Sequence, residues 1–187
     1  MKKYTLIAIT LFYIAFTSAQ VNVELKINPL GALFGSPDIS AEYIVTDEFG
    51  VELAAEMHIG KYHVFSSEIT DDIRKSGYGF MLAAKYYFYP YDACDGFYAG
   101  LYARQNSFRV FNRVDTNYYE FNREIIAGGF MLGRKYKGDS GFLLDTGFGV
   151  GRLFVEKNQW LNEYNGDDFD INIGFDLMWK LAIGYRF

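Results

Sequence analysis

The sequence predicts an all-β fold in which eight antiparallel strands close into an up-and-down transmembrane β-barrel. Three observations carry the prediction. Apolar and aromatic residues recur at every second position in eight separate stretches, the period of a strand with one apolar and one polar face. The connections between those stretches alternate between short and long, as in barrels that cross an outer membrane. The composition, with 16 Tyr, 18 Phe and 19 Gly against 3 Pro, suits pleated and closely packed structure better than helix. No segment holds a 3.6-residue apolar stripe for three turns.

The chain opens with Lys2 and Lys3, an apolar run over 6–16, and the small residues Thr17, Ser18 and Ala19. This is the pattern of a secretory signal peptide, residues 1–19, cut to leave Gln20 first. The apolar run is shorter than the roughly 20 residues a spanning helix needs, and no Cys stands at the junction for a lipid anchor. The barrel domain is then 20–187. Loss of the two lysines leaves 16 basic against 23 acidic residues, a net charge of −7. That balance excludes a nucleic-acid partner. The single Cys excludes an intramolecular disulfide framework and a Cys-based zinc site.

Val21, Val23, Leu25 and Ile27 form the first apolar set, and Ile39, Ala41, Tyr43 and Val45 the second. Val51, Leu53, Ala55, Met57 and Ile59 make the third. Tyr78, Phe80, Leu82, Ala84, Tyr86 and Phe88 follow, then Phe97, Ala99, Leu101 and Ala103. The sixth is Ile126, Gly128, Phe130 and Leu132, and the seventh Phe142, Leu144, Thr146, Phe148 and Val150. The eighth is the strongest, every second residue from Phe169 to Phe187 being apolar or aromatic. Its length exceeds an ordinary strand, so its first part is expected either to lean out of the membrane or to belong to a loop. Short turns are expected at 46–50, 89–96 and 136–141, rich in Asp, Gly or Pro. Longer loops are expected at 61–76, 108–122 and 156–168, with a short connection at 31–37 on their side.

Alternation alone does not say which face points inward. A soluble, lipocalin-like carrier would turn its apolar face inward, and a membrane barrel would turn it outward. The opposite face carries Glu24, Lys26, Glu42, Glu52, Glu56, Lys85, Arg104, Asp145, Asp176, Lys180 and Arg186. Charges of both signs on one face suit a narrow lumen in which each finds a partner. Aromatic residues gather near strand ends, where an interfacial girdle would sit. Both point to the membrane barrel.

The ending Trp179-Lys-Leu-Ala-Ile-Gly-Tyr-Arg-Phe187 resembles the C-terminal insertion signal of bacterial outer-membrane proteins. Trp179, Leu181, Ile183, Tyr185 and Phe187 match it. That resemblance implies reading by the barrel assembly machinery during insertion. The whole chain resembles small eight-stranded outer-membrane barrels of Gram-negative bacteria, similar to the OmpA membrane domain without its periplasmic domain. Asn28-Pro-Leu-Gly-Ala-Leu-Phe-Gly35, followed by 39–43, is similar to small uncharacterised barrels of this kind. The resemblance implies an outer-membrane location with lipid as the surrounding partner.

Chemistry is sparse. The only histidines are His58 and His63, with Ser66, Ser67 and Glu68 nearby. Outer-membrane lipid A deacylases carry a His and a Ser two residues apart on one strand face. Here Gly60 and Phe65 take the second place, so that pattern is absent. Asp167, Asp168 and Asp170 offer oxygen ligands without a calcium-loop spacing. The glycines of 147–151 alternate as in a strand and lack the Lys of a phosphate loop. Cys94 falls in a short turn as a free thiol. Tyr118, Tyr119, Phe121, Trp160 and Tyr164 fall in the long loops, where they suit either a partner or lipid headgroups. The expectation is a structural or interaction role at the cell envelope through those loops, with no catalysis, cofactor or metal. The alternatives are a narrow channel for small solutes or ions and a lipid-modifying enzyme.

Overall fold

The computed structural model describes residues 22–33, 35–62, 73–114, 117–161 and 174–187. The signal peptide, His63, Ser66, Ser67, Glu68, Tyr164 and the Asp167, Asp168 and Asp170 cluster lie outside the described residues. Eight strands run in chain order as β1 Val23–Asn28, β2 Asp38–Thr46, β3 Phe49–Tyr62, β4 Ile73–Phe88, β5 Gly96–Val114, β6 Asn117–Lys137, β7 Phe142–Trp160 and β8 Phe175–Arg186. Each pairs antiparallel with the next, and β1 pairs with β8 to close the barrel. Among the described residues no helix is long and apolar enough to cross a membrane, which says nothing of strands.

The ladder extends further than the apolar pattern. Residues 108–114 and 117–122, expected as loop, are paired strand from Phe108↔Arg123 to Val114↔Asn117. Of the expected loop 61–76, residues 61–62 belong to β3 and 73–76 to β4, and residues 156–160 belong to β7. The reason is physical. Hydrogen-bonded pairing does not require hydropathy to alternate, and in 108–122 apolar and charged residues mix in both phases (Phe108 and Glu120 in one, Arg109 and Phe111 in the other), so period two leaves no trace. β8 starts at Phe175, so its expected first part, from Phe169, is outside the described residues.

The connection from β1 to β2 holds a helical turn, α1, Pro29–Leu33. Asn28 caps it by accepting the Gly31 amide on Oδ1 at 3.1 Å. Pro29 sits in the first helical position, where its missing N–H costs nothing. Gly35 ends the turn at φ 72°. Gly35 N–H donates to Ala32 C=O at 3.2 Å and Ser36 N–H to Gly31 C=O at 2.7 Å, the paired bonds of a glycine-terminated helix.

The apolar phase of every strand faces outward. Leu53 is 57% exposed, Phe97 60%, Phe130 70% and Trp179 69%, whereas Glu24, Lys26, Glu42, Glu52, Lys85 and Asp145 are buried. The inward-facing apolar interior that a carrier would need is therefore overturned. The lumen also holds Tyr87, Tyr98, Tyr102, Met131 and Met178. Gly147 makes room for one of these rings: a Cβ there would stand 2.6 Å from the Tyr98 hydroxyl.

Residues 89–95 fold across the short-turn end. Tyr89, Ala93 and Cys94 take positive φ of 51°, 38° and 47°, a left-handed conformation that costs side-chain-bearing residues. Compensating bonds hold it. Cys94 N–H donates to Asp47 C=O at 2.5 Å, and Asp95 Oδ1 accepts the Tyr91 and Asp92 amides at 2.6 and 3.1 Å. Arg186 donates to the carbonyls of Asp92 at 2.8 Å and Ala93 at 2.6 Å. Cys94 is buried and free, and burial pushes its thiol up to about 12. The hydrogen bond from Lys137 holds the exposed Asp92 carboxyl below its ordinary range.

Candidate functional site

The charged side chains of the lumen separate into two levels. The lower level, toward the short turns, is built from β1, β2, β3, β4, β6, β7 and β8. Lys26 Nζ donates to Glu42 Oε2 at 2.5 Å, Glu52 Oε2 at 2.8 Å and Asp145 Oδ2 at 2.9 Å. Lys85 Nζ donates to the same three carboxylates, with Glu42 at 3.0 Å and Asp145 at 3.1 Å. An ammonium has three donors, and these two use all of them. Lys180 binds Glu52 and stands 2.9 Å from Asp145. Tyr87 and Tyr98 hydroxyls donate to Glu42 and Asp145 at 2.5 and 2.9 Å. Arg186 reaches Glu24 Oε1 through Nε at 2.9 Å and Nη2 at 2.5 Å.

Lys135 completes this level and was missed by the sequence reading. Its Nζ lies 2.6 Å from Glu24 and 3.0 Å from Glu42. The signal was available, since continuing period two past Leu132 puts 135 on the inward face. With it, the eleven expected residues and Lys135 carry six charges of each sign. Such balance is what a low-dielectric interior requires, because a buried charge without a partner is costly.

Carboxylate oxygens of Glu42, Glu52 and Asp145 lie within 4.8 Å of one another, a spacing that would suit a cation. Two ammonium groups already bridge all three. The site is an ion-pair cluster in which each of the six carboxylate oxygens already accepts a hydrogen bond.

The upper level is different. Arg104 pairs with Asp176, whose other oxygen accepts the Tyr102 hydroxyl at 2.7 Å. Beside them lies a cavity of about 330 Å³, lined among others by Asn28, Ser36, Asp38, Glu56, Arg104 and Lys180. Asp38 and Glu56 stand directly opposite on β2 and β3. Asp38 takes a hydrogen bond from Asn28 Nδ2 at 2.7 Å, and neither carboxylate has a Lys or Arg within ion-pair distance among the described residues. Like charges in that arrangement repel.

Glu56 meets His58 here. Ser36 Oγ is 3.0 Å from His58 Nδ1, and Glu56 Oε1 is 3.3 Å from the same nitrogen. The far nitrogen, Nε2, is buried without a hydrogen-bond partner among the described residues, and the ring packs edge-on against Phe108 at 5.3 Å. A serine relay needs the hydroxyl and the acid on opposite ring nitrogens. This constellation puts both on one. Sequence reasoning missed Ser36, Asp38 and the lumen tyrosines as partners, because only the strand register brings them together.

The C-terminal residues sit on the outer wall. Trp179, Tyr185 and Phe187 are exposed and Leu181 and Ile183 partly so. Trp179 packs on Phe148 at 4.8 Å and Tyr185 on Phe187 at 5.2 Å. Arg134, also on the outer wall, lies 4.7 Å from the Phe97 ring centre and 4.4 Å from that of Tyr136.

Comparison with known proteins gives one match. Residues 5–174 match a family described as a protein of unknown function, DUF3575, and the chain belongs to that family. No curated protein and no solved structure matches it.

Proposed function

We propose that this DUF3575 protein is an integral outer-membrane β-barrel with a structural or interaction role at the cell envelope and no catalysis. It would be exported through a signal peptide at 1–19 and surrounded by outer-membrane lipid. The carrying observation is sidedness. The barrel wall is apolar outward and charged inward. A soluble protein rarely leaves a contiguous apolar patch beyond a few hundred Å², whereas in lipid this face is the favourable one. The rings around Arg134 and the Tyr86–Phe88 pair, centroids 5.3 Å apart, fit an interfacial belt near the short-turn end. On this reading the assembly machinery would engage Trp179, Leu181, Ile183, Tyr185 and Phe187, as in OmpA-like barrels.

The lumen favours neither alternative. A channel for ions or small solutes would have to pass through the lower ion-pair cluster and the folded-in 89–95 turn. An acyl-transfer enzyme would need a different Ser36, His58 and Glu56 arrangement. The test is fractionation followed by gel mobility with and without boiling in SDS. The expected result is a detergent-requiring membrane protein whose band shifts on heating. Recovery in the soluble fraction without a shift would overturn the reading.

A further inference from the structure

The outer wall has a dent where β5, β6 and β7 meet. The strand register explains it. Leu101, Phe130 and Val150 stand side by side as one outward tier. The next tier toward the long-loop end is Ala103, Gly128 and Arg152. Two neighbouring outward positions therefore carry almost no side chain. The result is an open groove of about 570 Å³, bounded by Leu101, Phe130, Val150 and Phe154 with Arg152 at its edge. Phe154 comes from the irregularity at which β7 slips register against Ile126 and Ala127. Its ring leans over Gly128, where a Cβ would meet it at 3.0 Å. A bulge re-aims side chains in this way.

Arg152 is the unexpected member. It is exposed among the outward residues Phe148, Val150 and Phe154 of β7, and no ion pair holds it among the described residues. Arg134, an outward arginine nearer the short-turn end, is covered by two rings. In a bilayer, an outward charge is costly toward the midplane and tolerated near the interface. Arg152 lies on the long-loop side of the wall, below the polar pair Glu124↔Lys157, so its stem can carry the guanidinium up to headgroup level.

We propose that this groove binds one lipid bearing a phosphate monoester, with an acyl chain over Ala103 alongside the Phe154 ring and the phosphate on Arg152. The inference rests on the membrane reading above. Shape supplies the chain-sized depression. Charge supplies the head: a planar guanidinium can meet a phosphate through two parallel hydrogen bonds. The Phe154 ring, seated over Gly128, walls the chain on one side.

The test uses the folded full-length mature protein in an uncharged detergent. Retention of dioleoyl phosphatidic acid is measured against dioleoyl phosphatidylcholine by native mass spectrometry, and the heat-induced gel shift is read on every sample. The wild type is expected to hold phosphatidic acid about tenfold more tightly, the scale of one charge-assisted pair. Arg152→Gln should abolish that preference and Arg152→Lys keep part of it. Ala103→Leu, which fills the floor without touching the charge, should weaken retention of both lipids. Arg134→Gln should change nothing. Equal retention of the two lipids, or equal loss in Arg134→Gln and Arg152→Gln, in samples that still shift on heating, would overturn this inference and leave the membrane reading standing. A protein that needs no detergent and does not shift would overturn both.

Discussion

The lower and upper lumen use the same residue types in opposite states of compensation. Below, Lys26 and Lys85 each satisfy three carboxylates, and Lys135 and Lys180 complete the neutralisation. Above, Asp38 and Glu56 face each other beside open volume, and His58 keeps a buried nitrogen without a partner among the described residues. The lower level is therefore a fastening, in which each group is needed by several others. The upper level is a lining, in which groups can change singly.

The largest effect is expected from Lys85→Met. It would leave Glu42, Glu52 and Asp145 to share the remaining cations, and breaking such a buried arrangement costs about 3–5 kcal/mol. The midpoint of urea unfolding in detergent micelles should fall accordingly. Arg104→Met removes a part-buried pair and should cost less, about 2 kcal/mol, by the same measurement. Equal losses would erase the distinction between the levels. Glu56→Gln relieves the repulsion with Asp38 and should be neutral or stabilising by up to about 1 kcal/mol; a loss of stability would show Glu56 to be fastened after all. The smallest effect concerns Cys94. With its thiol at about 12, native protein should resist iodoacetamide at pH 8 and react once unfolded. The sign follows from burial, which favours the neutral thiol. Its contribution is present below the ordinary thiol value near 9 and is lost as pH climbs toward 12. Prompt alkylation of native protein would show that the 89–95 turn does not cover the short-turn end.

Legibility in the sequence followed the environment. Strand segments such as Tyr78 to Phe88 stand between an apolar and a polar surrounding, and their alternation marks them clearly. The upper parts of β5 and β6 mix apolar and charged residues in both phases, so 108–122 reads as loop although it pairs. The helical turn α1 spans too few residues for any period, and only the Asn28-Pro29 cap could have marked it. Lys135 escaped because its neighbour Arg134 interrupts the apolar phase, a break that the flanking rings of Phe97 and Tyr136 absorb. The inward charges could be named from parity alone. Which of them meet could not, because Lys26 and Asp145 are 119 residues apart and only ring closure joins them.

That closure has a consequence for the order of assembly. The seam between first and last strands is brief, Glu24 to Ile27 against Ile183 to Arg186, while β5 and β6 pair along their whole length. A contact between chain ends carries the heaviest loop-closure entropy, and a short ladder returns little for it. Lys26 lies in this brief strand and grips β2, β3 and β7 at once. It acts as a late-acting latch. Weakening it should speed opening of the ring far more than it slows formation of the long hairpins, so its loss would be felt in how long the barrel lasts rather than in how fast it begins to form.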